Sequence, residues 1–187
     1  MDLSGFFRIK DWKTDKGTTH DYIDAYYNGV FTPVKNEKLE ILEIGIHRGA
    51  SIELWSHFFP NANIIGLDNE DLGYQPTLGQ RENDRWIIVR ICDAYADEWV
   101  NRFDNNRFDF IIDDGPHTLD SQLLAIKKYL PKVKPGGKLI IEDIQSITDL
   151  NQLTIAASET DNEWQVFDMR GNKGRYDDII LEITKTK

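Results

Sequence analysis

The sequence predicts an α/β protein: a doubly wound, mostly parallel sheet with helices on both faces, finished by two antiparallel strands. Three observations predict it. Between residues 39 and 141 short apolar runs alternate with helix-like segments, the order that builds a parallel sheet from strand–helix–strand units. Several runs, such as Ile64-Ile65-Gly66-Leu67, are apolar at consecutive positions, as strands covered on both sides are. After residue 141 two further runs are joined by a connection too short for a parallel crossover, which makes them antiparallel neighbours.

The elements follow in order. Residues 1–17 read as an arm and loop ending in Thr14-Asp15-Lys16-Gly17. Thr18 or Thr19 is expected to cap a helix over 20–31, stopped by Pro33. Its Tyr22, Ile23, Tyr26, Tyr27 and Val30 recur at helical spacing, so this helix packs on something. Strands are expected over 39–44, 64–67, 86–91, 108–113 and 138–141, with helices over 50–59, 94–103 and 118–133 between them. A helix over 147–158 precedes the last two strands, 163–169 and 178–183. The one long loop, 69–84, is long enough to cover an active site. The chain is expected to form one domain, with residues 1–35 as arm and helix and 36–187 as a Rossmann-like core.

Composition narrows the function. At 187 residues, 40% hydrophobic and 29% charged, the chain can bury a proper core. No apolar run approaches the roughly 20 residues of a membrane helix, and the first residues do not read as a signal peptide. Cys92 is the single cysteine, which excludes an internal disulfide framework and fits a reducing, cytoplasmic setting. A formal net charge of -10 argues against nucleic acid as a partner. Lys127, Lys128, Lys132, Lys134 and Lys138 read as a solvated face.

The first candidate site is Leu39 to Gly49. Glu43 ends a strand, Gly45 and Gly49 flank Ile-His-Arg, and a helix begins near Ser51. Glycine lets a ligand approach the main chain, and the free amides of a helix start favour an anionic group. Asp68 ends the second strand where a carboxylate can bind both ribose hydroxyls. Asp93 follows the third, placed to meet an adenine amino group. Such an acidic edge suits a cationic, phosphate-free nucleoside such as the sulfonium of S-adenosylmethionine. His47 stands where the dinucleotide fingerprint has its middle glycine, and reads as a loop residue beside the ligand.

The second site lies on the next two strand ends, Asp113-Asp114-Gly115-Pro116-His117 and Glu142-Asp143. Asp114, Glu142 and Asp143 form an oxygen-rich set of the kind Mg²⁺, Ca²⁺ or Mn²⁺ prefers. Without a cation they would repel and raise one another's pKa. His117, on the rim, is suited to take a proton from a substrate hydroxyl.

With these residues in place, the chain resembles the class I S-adenosylmethionine-dependent methyltransferases. It is more closely similar to the metal-dependent sugar O-methyltransferases of the mycinamicin and macrocin type. The matching motifs are Asp15-Lys16-Gly17 followed by His20, then LEIGIHRGAS, FPNANIIGLD, IIDDGPH, PGGKLIIED and GRYDDIILEI. The resemblance implies a seven-stranded sheet with an antiparallel last strand. It implies S-adenosylmethionine contacted by Lys16, Glu43, Gly45, His47, Gly49, Ser51, Asp68, Asp93 and Asp113. It also implies Mg²⁺ on Asp114, Glu142 and Asp143, with His117 and Asp114 as the catalytic pair. The acceptor would be a hydroxyl of a sugar-like or vicinal-diol small molecule, with no nucleic acid or membrane partner and a homo-oligomer left open. A nicotinamide-dependent oxidoreductase and a non-catalytic cofactor-binding protein are the competing readings. Relative to that family, the chain has only a short N-terminal arm, and Cys92 and Ala94 flank Asp93.

Overall fold

The structure is a computed structural model that describes residues 1–73 and 85–187. It contains a seven-stranded sheet: β1 Glu40–Ile44, β2 Asn63–Asp68, β3 Ile87–Ile91, β4 Phe108–Asp113, β5 Val133–Ile141, β6 Glu163–Asp168 and β7 Ile179–Thr184. The strand order is β3-β2-β1-β4-β5-β7-β6. The first five strands are mutually parallel, and β7 is antiparallel to both β5 and β6. The order in which strands are added reverses between β1 and β4, where open α/β sheets form a crevice at their carboxyl ends.

Side-chain alternation divides the core in two. Ile41, Ile64, Ile112, Ile140 and Ile180 face one layer, together with Trp55 and Phe58 of helix α3, Ala50–Phe58. Helix α1 (Leu3–Arg8) and helix α2 (Ile23–Phe31, opening as a π turn over Ile23–Tyr27) complete that layer. Leu42, Ile65, Ile111, Leu139 and Leu181 face the other layer. It is covered by α4 (Asp97–Val100), α5 (Leu119–Tyr129) and α6 (Ile147–Ser158). A short α7, Arg170–Lys173, sits in the β6–β7 connection and ends on Gly174 in the left-handed region.

Several expected boundaries change for local reasons. Residues 1–17 are not simply an arm. Asp2 accepts a hydrogen bond from the Gly5 amide at 2.9 Å and caps α1, while Leu3 and Trp12 enter the core. Neither Thr18 nor Thr19 caps α2; the Asp15 carbonyl instead gathers the amides of Thr18, Thr19 and His20, delaying the helix to Ile23. The helix expected over 94–103 shrinks to α4, because the Asp93 carboxylate accepts from the Tyr95 amide and holds a turn there. β5 starts at Val133, ahead of Gly136 and Gly137, with a register irregularity opposite Phe108 and Phe110. Pro131 ends α5 in a 3₁₀ turn.

The lysine run is tied down locally: Lys128 to Asp97, Lys134 to Asp109 and Lys138 to Glu182. Most of the loop expected as a cover, 69–84, lies outside the described residues. Among the described residues, no helix is long and apolar enough to cross a membrane.

One glycine is fixed by contact. A Cβ at Gly45, where φ is +79°, would stand 1.9 Å from the Asp114 carbonyl oxygen. Gly45→Ala is therefore expected to cost about 2–4 kcal/mol and lower Tm by roughly 5–15 °C. The exposed helical Gly29, with nothing near its virtual Cβ, is the control: Gly29→Ala should stabilise slightly. Thermal unfolding of the two variants reads both effects.

Candidate functional site

The carboxyl ends of β1, β2, β4 and β5 open into a cleft of about 1190 Å³. It is lined by Gly45, His47, Ser51, Asp68, Asp93, Asp114, His117 and Asp143, together with Thr14, Asp15 and Tyr95. The structure thus brings both predicted sites to one opening. Lys16, Glu43, Gly49, Asp113 and Glu142 are buried outside its lining.

The glycine loop is built by its neighbours. The Gly45 amide bonds the Leu67 carbonyl at 2.8 Å, and Asp68 Oδ2 accepts from the amides of Ile46 at 2.9 Å and His47 at 2.7 Å. Asp68 therefore pins the loop and keeps further lone pairs for a ligand. Gly49 takes φ +75° at the start of α3, and no side chain caps that helix. Its first amides remain able to meet an anionic group beside Ser51. Asp93 is exposed at the rim.

Strain gathers at the same edge. Of the four non-glycine residues with positive φ among the described residues, His47 (+47°), His117 (+55°) and Asp143 (+53°) all line the cleft. Such conformations cost energy and persist where the surroundings impose them, often at functional sites.

Asp114, His117 and Asp143 each offer a ligand atom, and these lie within 4.8 Å of one another. His117 Nε2 stands 3.9 Å from Asp114 Oδ1 and 3.7 Å from Asp143 Oδ2. Its Nδ1 is buried without a partner. Glu142 is placed differently: its two oxygens go to Lys16 and to the Tyr27 hydroxyl.

The N-terminal segment supplies partners for these acids. Lys16 Nζ lies 2.6 Å from Asp114 Oδ2, 3.5 Å from Glu43 Oε1 and also against Glu142. Burial opposes its charge, but the three carboxylates overcome that and raise its pKa. Tyr22 donates to Asp143, Tyr26 to Glu182, and His20 Nδ1 meets Asp178 Oδ1 at 2.5 Å. The carboxyl groups outnumber this ammonium. Burial pushes Glu43 up to about 7 even though Lys16 pulls it down. Burial likewise pushes Asp113 up to about 7 against the hydrogen bond it accepts from Tyr95. It also raises Glu142 and Asp143. Burial thus favours the protonated form of these acids at the end of the sheet.

From their spacing Tyr22, Tyr26 and Tyr27 read only as packing residues, and His20 carries no assigned role. The available signal was their phenolic type: helical tyrosines in a chain whose strands end in Glu142-Asp143 and whose last strand follows Asp177-Asp178 and carries Glu182. Phenylalanine would have packed equally well but offered no donor.

Comparison with known proteins places the chain. Residues 42–144 match the family described as methyltransferase domain. The chain is 30% identical over 140 residues to demethylmacrocin O-methyltransferase of Streptomyces fradiae, covering 68% of this chain and 33% of that protein. It is 30% identical over 135 residues to mycinamicin VI 2''-O-methyltransferase of Micromonospora griseorubida, covering 66% and 31%. It thus spans about a third of the length of these curated relatives. Among solved structures it is similar to the MycE methyltransferase of the mycinamycin pathway, determined with Mg, SAH and mycinamycin VI. The TM-score is 0.71 at 22% identity, over 100% of this chain and 55% of that one; at this identity the likeness carries the fold alone. The matched segment runs from within β1 to just past the tip of β5, and so contains the strand ends that form the cleft. The chain belongs to the methyltransferase domain family.

Proposed function

We propose that the chain is an S-adenosylmethionine-dependent, Mg²⁺-assisted O-methyltransferase acting on a hydroxyl of a sugar-like or vicinal-diol small molecule. The observation that carries this reading is the shared opening: a glycine loop with a free helix start stands beside Asp114, His117 and Asp143. The acidic lining suits a sulfonium donor better than a pyrophosphate. The curated relatives, named demethylmacrocin O-methyltransferase and mycinamicin VI 2''-O-methyltransferase, support a small-molecule hydroxyl as acceptor.

The residues fit a divalent ion, because one oxygen each of Asp114 and Asp143 converge beside His117, whose Nε2 stays free for a proton. When bound, Mg²⁺ would supply charge that orients the acceptor oxygens and lowers their pKa. Asp114 and Asp143 would hold it, with Glu142 behind them tied to Lys16 and Tyr27. His117 Nε2 would accept the proton of the acceptor hydroxyl as the oxygen attacks the methyl carbon. Gly45, His47, Gly49 and Ser51 would seat the methionine part, with Glu43 buried beneath them. Asp68 would meet the ribose and Asp93 the adenine. Asp113, held by Tyr95 under Gly115, would support the floor. The displacement needs alignment of donor and acceptor more than bond-making groups, so positioning would dominate the rate. The unpaired Cys92 supports a reducing cytoplasmic setting, and the chain would act as one domain.

S-adenosylhomocysteine should raise Tm, and methyl transfer from S-adenosylmethionine to a panel of sugar diols should stop with EDTA and return with Mg²⁺. Stabilisation by NAD(P) but not by S-adenosylhomocysteine would overturn the reading in favour of an oxidoreductase. His117→Ala should lower kcat by about 10²–10⁴-fold while leaving S-adenosylhomocysteine affinity within about two-fold of wild type; full activity would remove its role as base.

A further inference from the structure

The two carboxylates that face His117 are each held from behind. On Asp114, Oδ2 meets Lys16 Nζ at 2.6 Å, and Oδ1 is the oxygen turned toward His117 Nε2. On Asp143, Oδ1 accepts from the Tyr22 hydroxyl at 2.5 Å, and Oδ2 is the oxygen turned toward His117. In both cases a donor from the segment before β1 takes the far oxygen and leaves the near one. That segment lies outside residues 42–144, the span matched to the family.

The two donors are themselves held. Lys16 is 1% exposed, with Glu43 and Glu142 also around its ammonium. The Tyr22 ring stacks on His20 with centroids 4.8 Å apart, and its hydroxyl also lies 3.3 Å from the Asp177 carbonyl. His20 in turn is fixed by Asp178 and stands 3.6 Å from Asp143 Oδ1. Asp143 needs such restraint, because its backbone sits at φ +53° with no glycine to ease it.

A carboxylate whose second oxygen is turned to a donor presents its other oxygen to a cation, and binding through both oxygens has to compete with that donor. Mg²⁺ takes single oxygens in a tight octahedron, whereas the larger Ca²⁺ favours more ligands and accepts both oxygens of a carboxylate. Partners that orient metal ligands from behind commonly change metal affinity by about 10–100-fold when removed.

We propose that Tyr22 and Lys16 are positioning residues of the cation site, each occupying the far oxygen of one carboxylate so that Asp114 and Asp143 present single oxygens and favour Mg²⁺ over Ca²⁺. The proposal rests on the reading of Asp114 and Asp143 as cation ligands and adds to it who sets their geometry and what that selects.

The test is calorimetric titration of the purified full chain with Mg²⁺ and, separately, Ca²⁺, without acceptor. Tyr22→Phe keeps the ring and the stacking on His20 but removes the donor. It should weaken Mg²⁺ binding by about ten-fold and weaken Ca²⁺ binding less, narrowing the Mg²⁺/Ca²⁺ preference. S-adenosylhomocysteine affinity should stay unchanged. Lys16→Gln tests the other carboxylate. Removing an ammonium would by charge alone strengthen both divalent ions alike, whereas loss of the restraint narrows the preference whatever the absolute affinities do. An unchanged Mg²⁺/Ca²⁺ ratio in Tyr22→Phe would overturn the proposal. So would a parallel loss of both ions and of S-adenosylhomocysteine, which would mark general damage. If the wild-type chain binds neither ion, the cation reading fails first and the proposal with it; binding by wild type with an indifferent Tyr22→Phe sinks the proposal alone.

Discussion

The buried ammonium of Lys16 is the interaction on which the acidic end of the sheet depends. Three strands deliver Glu43, Asp114 and Glu142 to one place, and β1, β4 and β5 are neighbours in the sheet. Parallel strands ending together make such convergence unavoidable once each carries an acid at its tip. Carboxylates crowded in low dielectric either take up protons or find a positive charge. Lys16 provides one charge at the back, leaving the front of the cluster facing the cleft. Deleting one partner of a buried set like this commonly costs about 3–5 kcal/mol, because the remaining charge is left uncompensated.

The placement of Lys16 also explains the shape of the N-terminal segment. The Asp15 carbonyl collects three successive amides, the Ile23 amide bonds the Lys16 carbonyl at 3.1 Å, and α2 begins as a π turn. Within that turn the adjacent Tyr26 and Tyr27 both point inward, one to Glu182 and one to Glu142. From the far end of the chain, Lys173 bonds the carbonyls of Gly17, Thr18 and His20. The segment is thus fastened on one side by the acids of the strand tips and on the other by the β6–β7 connection.

The sheet was legible because its signals are local: consecutive apolar residues, glycine punctuation and a short final connection. Phe108–Asp113 and Ile147–Ser158 came out with the expected bounds. The strand-tip acids were legible for the same reason, since a strand's last residue is visible from its apolar run. What the sequence did not show was orientation. Nothing local says that both oxygens of Glu142 are engaged from behind, or that Asp68 spends its carboxylate largely on the amides of the neighbouring loop. Tyr22 and Tyr27 meet their acids across more than a hundred residues, and pairings of that range leave no periodicity to read. The α1 helix was hidden differently: six residues are too few for a period to emerge, and its order comes from Leu3 and Trp12 finding the core.

The contact between Gly45 and the Asp114 carbonyl joins two loops to which the proposed function assigns different ligands. The Asp114 amide bonds the Ile44 carbonyl at 2.9 Å, and the Gly45 backbone lies against the turn after β4 with no room for even a methyl group. The donor-side loop and the cation-side turn are therefore one mechanical piece. A shift of either by the width of a hydrogen atom must be absorbed by the other, so under the proposed function occupancy on one side would be felt as a change of free energy on the other. Linkage between the two ligands would then arise from packing alone, and by reciprocity each would report on the other to the same degree.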